Sequence, residues 1–214
     1  MEYTLADHAI AGETPRIQPQ GPIAVPGHYT AILNVGGRKY AQPFVVTMDP
    51  RVPASQTDLE MQLAWAQKAT RGMAVSKESF EQLADLRAAM EDRQKLIAAS
   101  AGQANDLANS VKALADEVAA LQGGSQQNPT APAVGPINRD LSRIYWMIES
   151  GDSAPSETAK ASVQEFCDSL DKALDSWREI NTTKLPALNS QLESGHLTPL
   201  PLSSRIPSTP ACGK

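Results

Sequence analysis

The sequence predicts a mainly α protein: an antiparallel bundle of about four helices preceded by a β-hairpin. Three observations carry that prediction. Two alternating segments flank Gly36 and Gly37. After Pro53 the apolar spacing switches from two to about 3.6 residues. Ala104, Leu107, Val111, Leu114, Val118 and Leu121 then follow at steps of three, four, three, four and three, an a/d seam. The implied divisions are an irregular segment plus hairpin over 1–53, the bundle over 54–194 and a Pro-rich flexible tail over 195–214.

Residues 1–27 concentrate Gly12, Pro15, Pro19, Gly21, Pro22, Pro26 and Gly27, which suit irregular chain, with one short strand near Tyr3 to Leu5. From His28 to Val35, alternation puts Tyr29, Ala31, Leu33 and Val35 on one face. Gly36-Gly37 is a two-residue hairpin turn, because glycine tolerates positive φ at both positions. Arg38 to Met48 is the return strand, with Tyr40, Phe44 and Val46 prominent. Pro43 lies inside it, and a residue without an N–H belongs at a sheet edge or a bulge.

Ser55 or Thr57 can cap the first helix, with Asp58 and Glu60 in the turn where the dipole favours negative charge. Leu59, Leu63, Ala66, Met73, Phe80, Leu83, Leu86, Met90 and Ile97 make its stripe. It is either one helix over about 55–100 or two halves bent near Gly72. Gly102 breaks the chain, the seam helix covers 103–122, and Gly123-Gly124 ends it. Residues 123–136 read as a flexible connector. The third helix spans about 138–150, with Leu141, Ile144, Tyr145 and Ile148 inward, and Gly151 stops it. Asp152 or Ser153 caps the next helix, with Pro155 in its first turn. Val163, Phe166, Leu170, Leu174 (or Ala173) and Trp177 form its stripe as far as about Thr182. Pro186 restarts or kinks the helix, and Leu188 and Leu192 continue its apolar face.

Composition removes several functional classes. Of the 214 residues, 41% are hydrophobic and 20% charged, as in a globular chain. A net charge of −5 argues against a dedicated nucleic-acid binder. No apolar run is long enough to span a bilayer. The start, Met1 to His8, lacks the order of a signal peptide. Cys167 and Cys212 show no framework spacing, so two free thiols are expected rather than a disulfide.

The residues offer little chemistry. His8, His28 and His196 have no metal-ligand spacing. Glu78 and Glu81, Glu91 and Asp92, and Asp168, Asp171 and Asp175 could supply the paired carboxylates of a glycosidase. They fall on polar helix faces near Lys77, Arg93 and Lys172, which is the pattern of a solvated surface. Gly36-Gly37-Arg38-Lys39 reads as a hairpin tip with two exposed cations rather than an anion site. Trp177 reads as core, and Trp65 and Trp146 as packing or docking residues. No catalytic, cofactor-binding or metal-binding residue is assigned, and no cofactor is expected.

Several segments together are similar to a known family. They are Gly21-Pro22, then Val25-Pro26-Gly27-His28-Tyr29-Thr30, and Gly37-Arg38-Lys39-Tyr40-Ala41-Gln42-Pro43. Val46-Thr47-Met48-Asp49-Pro50-Arg51-Val52 and Leu185-Pro186-Ala187-Leu188-Asn189 follow. This set resembles the C-terminal region of bacterial BNR-repeat proteins, the sialidase-like and sortilin-like β-propellers labelled glycosyl hydrolases, over roughly residues 21–194. The resemblance implies that the hairpin ends an Ig-like β element, that a propeller belongs upstream, and that the location is extracytoplasmic. Its motifs are structural, so no sialidase residue carries over.

The expected function is therefore a non-catalytic C-terminal structural or interaction module of such a protein. Its partner would be the upstream propeller or another protein chain, with self-association through the helix at 103–122 as a further mode. One alternative is a fragment of a glycoside hydrolase whose active site lies upstream. A second is a free-standing coiled-coil interaction protein. A lone two-stranded hairpin is marginal in water, so its apolar face calls for a partner sheet or helix.

Overall fold

The computed structural model of the chain describes residues 21–99 and 105–208. A hairpin of β1 (Gly27–Val35) and β2 (Arg38–Val46) precedes α1 (Gln56–Ala99), α2 (Asn105–Gly123), α3 (Val134–Ile148) and α4 (Glu157–Glu179). A π-helical turn, Ile180–Lys184, carries α4 directly into α5 (Leu185–Ser194). The mainly helical bundle behind a hairpin is thus the observed architecture.

In cross-section its helices form three rods. α1 is a single rod of 44 residues, about 66 Å at 1.5 Å per residue. Side-chain bonds fix the other directions. Gln122 at the end of α2 meets Phe80 and Arg87 of α1. Asn138 at the start of α3 meets Met73, and Ile148 at its end meets Gln62. α2 and α3 therefore lie end to end, antiparallel to α1, one on each half of it. Lys68 reaches Gln164 and Gln82 reaches Trp177, so α4 runs parallel to α1. The core between the rods includes Met73, Leu83, Met90, Val111, Val118, Leu141, Leu170, Leu174, Trp177 and Leu192.

Gly72 does not divide α1, which runs unbroken from Gln56 to Ala99. It is buried, and one turn on, Ser76 Oγ donates back to Gly72 O at 2.8 Å. These small residues let α3 approach, so Asn138 Nδ2 donates to Met73 O and Ser76 Oγ, both at 2.9 Å. The glycine costs helix propensity but makes room for a neighbour.

Where α2 hands over to α3, the chain departs from the flexible connector expected over 123–136. Gly124 ends α2 with φ +92°, as a glycine terminator should. The connector, read as flexible to residue 136, instead enters the core at its far end. Ala133, Val134 and Gly135 are buried, and α3 begins at Val134. Pro136 sits in its first turn, where a missing N–H costs nothing. A Cβ on Gly135 would stand 2.8 Å from Gln122 O and 3.1 Å from the Phe80 ring, so only glycine lets the two helices abut.

The third rod shows two further differences. Ser156, not Asp152 or Ser153, caps α4, its side chain accepting from Ala159 N. Pro155 precedes the cap. Pro186 neither stops nor sharply restarts the rod. It cannot donate to residue 182 and its ring crowds that carbonyl, and the chain widens into the π turn just ahead of it. The apolar face survives: Ile180, Leu185, Leu188 and Leu192 are all buried.

Residues 197–206, read as part of a flexible tail, form a strap pinned to the bundle. Asn189 and Asn181 each exchange two hydrogen bonds with the strap backbone, at Leu200 and Ser203. Arg93 Nε donates to Thr198 O at 2.7 Å, and Gln82 Nε2 to Arg205 O at 3.0 Å. Leu200 is buried and Ile206 packs on the core.

Candidate functional site

The chemistry weighed in the sequence does not converge. His28 is exposed on β1, and His196 is exposed just after α5; His8 lies outside the described residues. No group of three His, Cys, Asp or Glu among the described residues could hold a metal ion. Glu78 is exposed, Glu81 pairs with Lys77 at 2.6 Å, and Asp92 pairs with Lys95 at 3.1 Å, while Glu91 is exposed. On α4, Asp168 accepts from Gln164 at 2.7 Å and Asp175 pairs with Arg178. Partial burial, then the charges of Asp175 and Asp168, raises the Asp171 pKa. Asp168, Asp171 and Asp175 sit along one helix, as Glu78, Glu81, Glu91 and Asp92 do on α1.

The tryptophans separate cleanly. Trp177 is core, its Nε1 donating to Gln82 Oε1 at 2.9 Å. Trp65 packs against the core with Lys68 Nζ 4.9 Å from its ring centroid, so a cation already occupies that face. Trp146 is 60% exposed beside the exposed Met147.

The seam of α2 is consumed inside the chain. Val111, Leu114, Val118 and Leu121 are buried in the common core. The self-association expected through this helix has lost its apolar surface to α1 and the third rod. No helix among the described residues is long and apolar enough to cross a membrane.

Among the described residues, what remains unpartnered is the hairpin. Its register runs unbroken from Gly27 opposite Val46 to Val35 opposite Arg38, with no bulge. Gly36 and Gly37 have φ of +54° and +78°, the double positive φ of a type I′ turn. One face carries Tyr29 opposite Phe44 and Leu33 opposite Tyr40, the first pair stacked with centroids 5.8 Å apart. Leu33 is 62% exposed, Tyr40 54% and Phe44 47%. Ile32 and Val45, on the opposite face, are equally open. A two-stranded sheet exposed on both faces is not a stable end state in water.

The two edges differ. In a two-residue hairpin the closing pair, Val35 and Arg38, is hydrogen-bonded, and bonded and non-bonded pairs then alternate. Thr30 and Pro43 fall on a non-bonded pair, so Pro43 faces outward and interrupts the free edge of β2. The free edge of β1 turns out the amides of His28, Thr30, Ile32 and Asn34, all able to donate. That edge can take another strand.

Sequence reasoning missed the mooring of the hairpin. Tyr29 Oη donates to Val25 O at 2.7 Å, and Gln56 Nε2 to Pro26 O at 3.2 Å. Glu149, at the end of α3, accepts from Ile23 N at 2.9 Å through Oε2. Its Oε1 is buried without a hydrogen-bond partner among the described residues. Burial raises the Glu149 pKa, against the lowering effect of the Ile23 N–H. Tyr145, desolvated and beside Glu149, is pushed up to about 12. A lone glutamate at a helix end gave no signal of a contact 126 residues away.

One further expectation fails: Cys167 is disulfide-bonded, not a free thiol. It is 1% exposed, in a helix whose expected stripe did not include it, and spacing in sequence says nothing about pairing in space. Cys212 lies outside the described residues. No protein-family model, no curated protein and no solved structure matches this chain.

Proposed function

We propose that this chain is a non-catalytic structural and interaction module, in which the three-rod bundle braces a hairpin that completes a β-sheet belonging to a neighbouring stretch of polypeptide. The observation that carries this reading is the hairpin itself. Its apolar side chains are open on both faces, its β1 edge is free of any strand among the described residues, and its base is moored to the bundle. A sheet on the Tyr29, Leu33 and Phe44 face, paired along β1, would bury that surface. The resemblance extends the proposal: the neighbouring sheet is an Ig-like element, and the whole is the C-terminal arm of a BNR-repeat, glycosyl-hydrolase-like protein.

The test begins with the native size. An antibody against residues 55–194 is used to blot cells that make the protein. A band much larger than 22.9 kDa supports the arm of a longer protein, whereas a band at 22.9 kDa removes the upstream propeller from the proposal. Hydrogen exchange on the native protein then reads the edge. Slow exchange at Thr30 and Ile32, with fast exchange at Ala41 and Val45, supports strand addition at β1. Equal, fast exchange at all four sinks it.

A further inference from the structure

The strap over 197–206 lies in a groove along the third rod and α1, and four side chains of the bundle hold it by its backbone. Asn189 pairs with both backbone groups of Leu200, and Asn181 with both of Ser203. Arg93 donates to the carbonyl of Thr198, and Gln82 to that of Arg205. Most strap side chains point away: Thr198, Pro199, Pro201, Leu202 and Arg205 are exposed. Leu200 and Pro207 are buried, and Leu197 and Ile206 pack against the core. The groove thus recognises an extended backbone with a few apolar anchors rather than one particular sequence.

The third rod is built to the spacing of such a backbone. Asn181 sits in the π turn and Asn189 in α5. In an unbroken α-helix that separation would turn the second asparagine about 80° from the first. The extra residue taken up by the π turn brings them within about 20°, on one face and about two turns apart. Two turns rise about 11 Å, and the steps from Leu200 to Ser203 cover about 10 Å of extended chain. The strap suits the groove in turn. Pro199, Pro201 and Pro207 keep the residues before them extended, while the N–H groups that the asparagines accept belong to Leu200 and Ser203. At the start of the strap, His196 has φ +56°, in the left-handed region where glycine is usual. His196 N donates to Glu193 O and Leu197 N to Leu192 O, which holds it there. Release of the strap relaxes that backbone.

We propose that this groove is a recognition site for extended, proline-bracketed segments of other polypeptides, and that the strap is its resident occupant. The ligand carries a leucine between two prolines, as Leu200 stands between Pro199 and Pro201, and a free N–H at the position of Ser203. The tether makes the strap a competitor at an effective concentration on the order of a millimolar, so a partner binds only by displacing it. The inference does not depend on the role of the hairpin.

The probe is a fluorescein-labelled synthetic peptide of residues 197–208, added to the full chain and followed by anisotropy. Reductant is present throughout, so the Cys167 bond plays no part. In the chain, Leu200→Asp sets a carboxylate in a buried apolar seat and frees the strap. That variant should bind the peptide about tenfold or more tighter than wild type does. Adding Asn189→Ala to it should weaken binding by about tenfold. On the peptide, Ser203→Pro removes the N–H that Asn181 accepts and should weaken binding by a similar factor, whereas Leu202→Ala, at an exposed position, should not. Equal binding by the parent and both altered peptides would overturn the proposal in favour of a merely adhesive apolar surface, and no binding to the Leu200→Asp chain would overturn it outright. The wild-type chain gives a second reading. Millimolar unlabelled peptide should speed amide exchange at Leu200 and Ser203, because the displaced strap loses its protection. Unchanged exchange there would overturn the proposal whether or not the Leu200→Asp chain folds.

Discussion

Asn189 and Leu200 exchange a pair of hydrogen bonds: Leu200 N donates to Asn189 Oδ1 at 2.7 Å, and Asn189 Nδ2 donates to Leu200 O at 3.0 Å. The side-chain amide stands in for a strand neighbour, satisfying both backbone groups of a buried residue. Asn181 repeats the device at Ser203, at 3.0 and 2.8 Å. Two asparagines thus hold an extended segment that has no ladder of its own.

Asn189→Ala should destabilise the protein by about 2–4 kcal/mol, because it leaves a buried donor and a buried acceptor without partners. Asn189→Asp keeps the acceptor but sets a carboxylate against Leu200 O, and should be no better. Chemical denaturation gives the loss. Amide exchange at Leu200 should speed up in both variants, and protection at the wild-type level would show that Asn189 does not hold the strap.

Gly135→Ala should cost about 1–3 kcal/mol, the range for overpacking, because the new Cβ meets the Gln122 carbonyl at 2.8 Å. Gly151→Ala meets nothing within 4 Å and serves as the control. Equal urea midpoints for the two variants would mean that the α2 to α3 abutment is looser than described.

The mooring of the hairpin should respond to pH. The Glu149 pKa is raised in the folded protein, chiefly by burial, so the fold takes up this proton more readily than the unfolded chain does. Its contribution to stability is therefore fully present below the ordinary carboxylate value and is lost as pH rises through the elevated folded value. Glu149→Gln keeps an acceptor for Ile23 N and carries no charge. It should be more stable than wild type at pH 7, with the difference shrinking toward pH 4. Parallel melting curves across that range, with a constant offset, would remove Glu149 as the cause.

Leu33→Lys combined with Phe44→Lys should leave the bundle's melting temperature within about 2 °C of wild type, since both side chains are exposed and their cost is confined to the hairpin. The same pair should suppress concentration-dependent light scattering, by placing two cations on the open apolar face. A large drop in melting temperature would mean that the hairpin packs on the bundle more than its exposure indicates.

Local pattern was enough to determine the elements of this protein. The Gly36-Gly37 turn, the pairing face of Tyr29, Leu33 and Phe44, the seam from Val111 to Leu121 and the stripe ending at Trp177 are all periodicities of two or 3.6. Such a period is set by backbone geometry and survives any tertiary arrangement. It could not say that α2 and α3 lie in tandem along α1, that Gly135 rather than Gly123 is the tight contact, or that residues 197–206 are held down by Asn181 and Asn189. Nor could it show that Glu149 reaches Ile23, or that Cys167 is bonded. Those facts join residues far apart in the chain, and whether a polar or small residue is solvated or clamped depends on what the fold brings against it. Apolar spacing determined which faces must be buried, and only the packed rods decided that both faces of the hairpin stay open among the described residues.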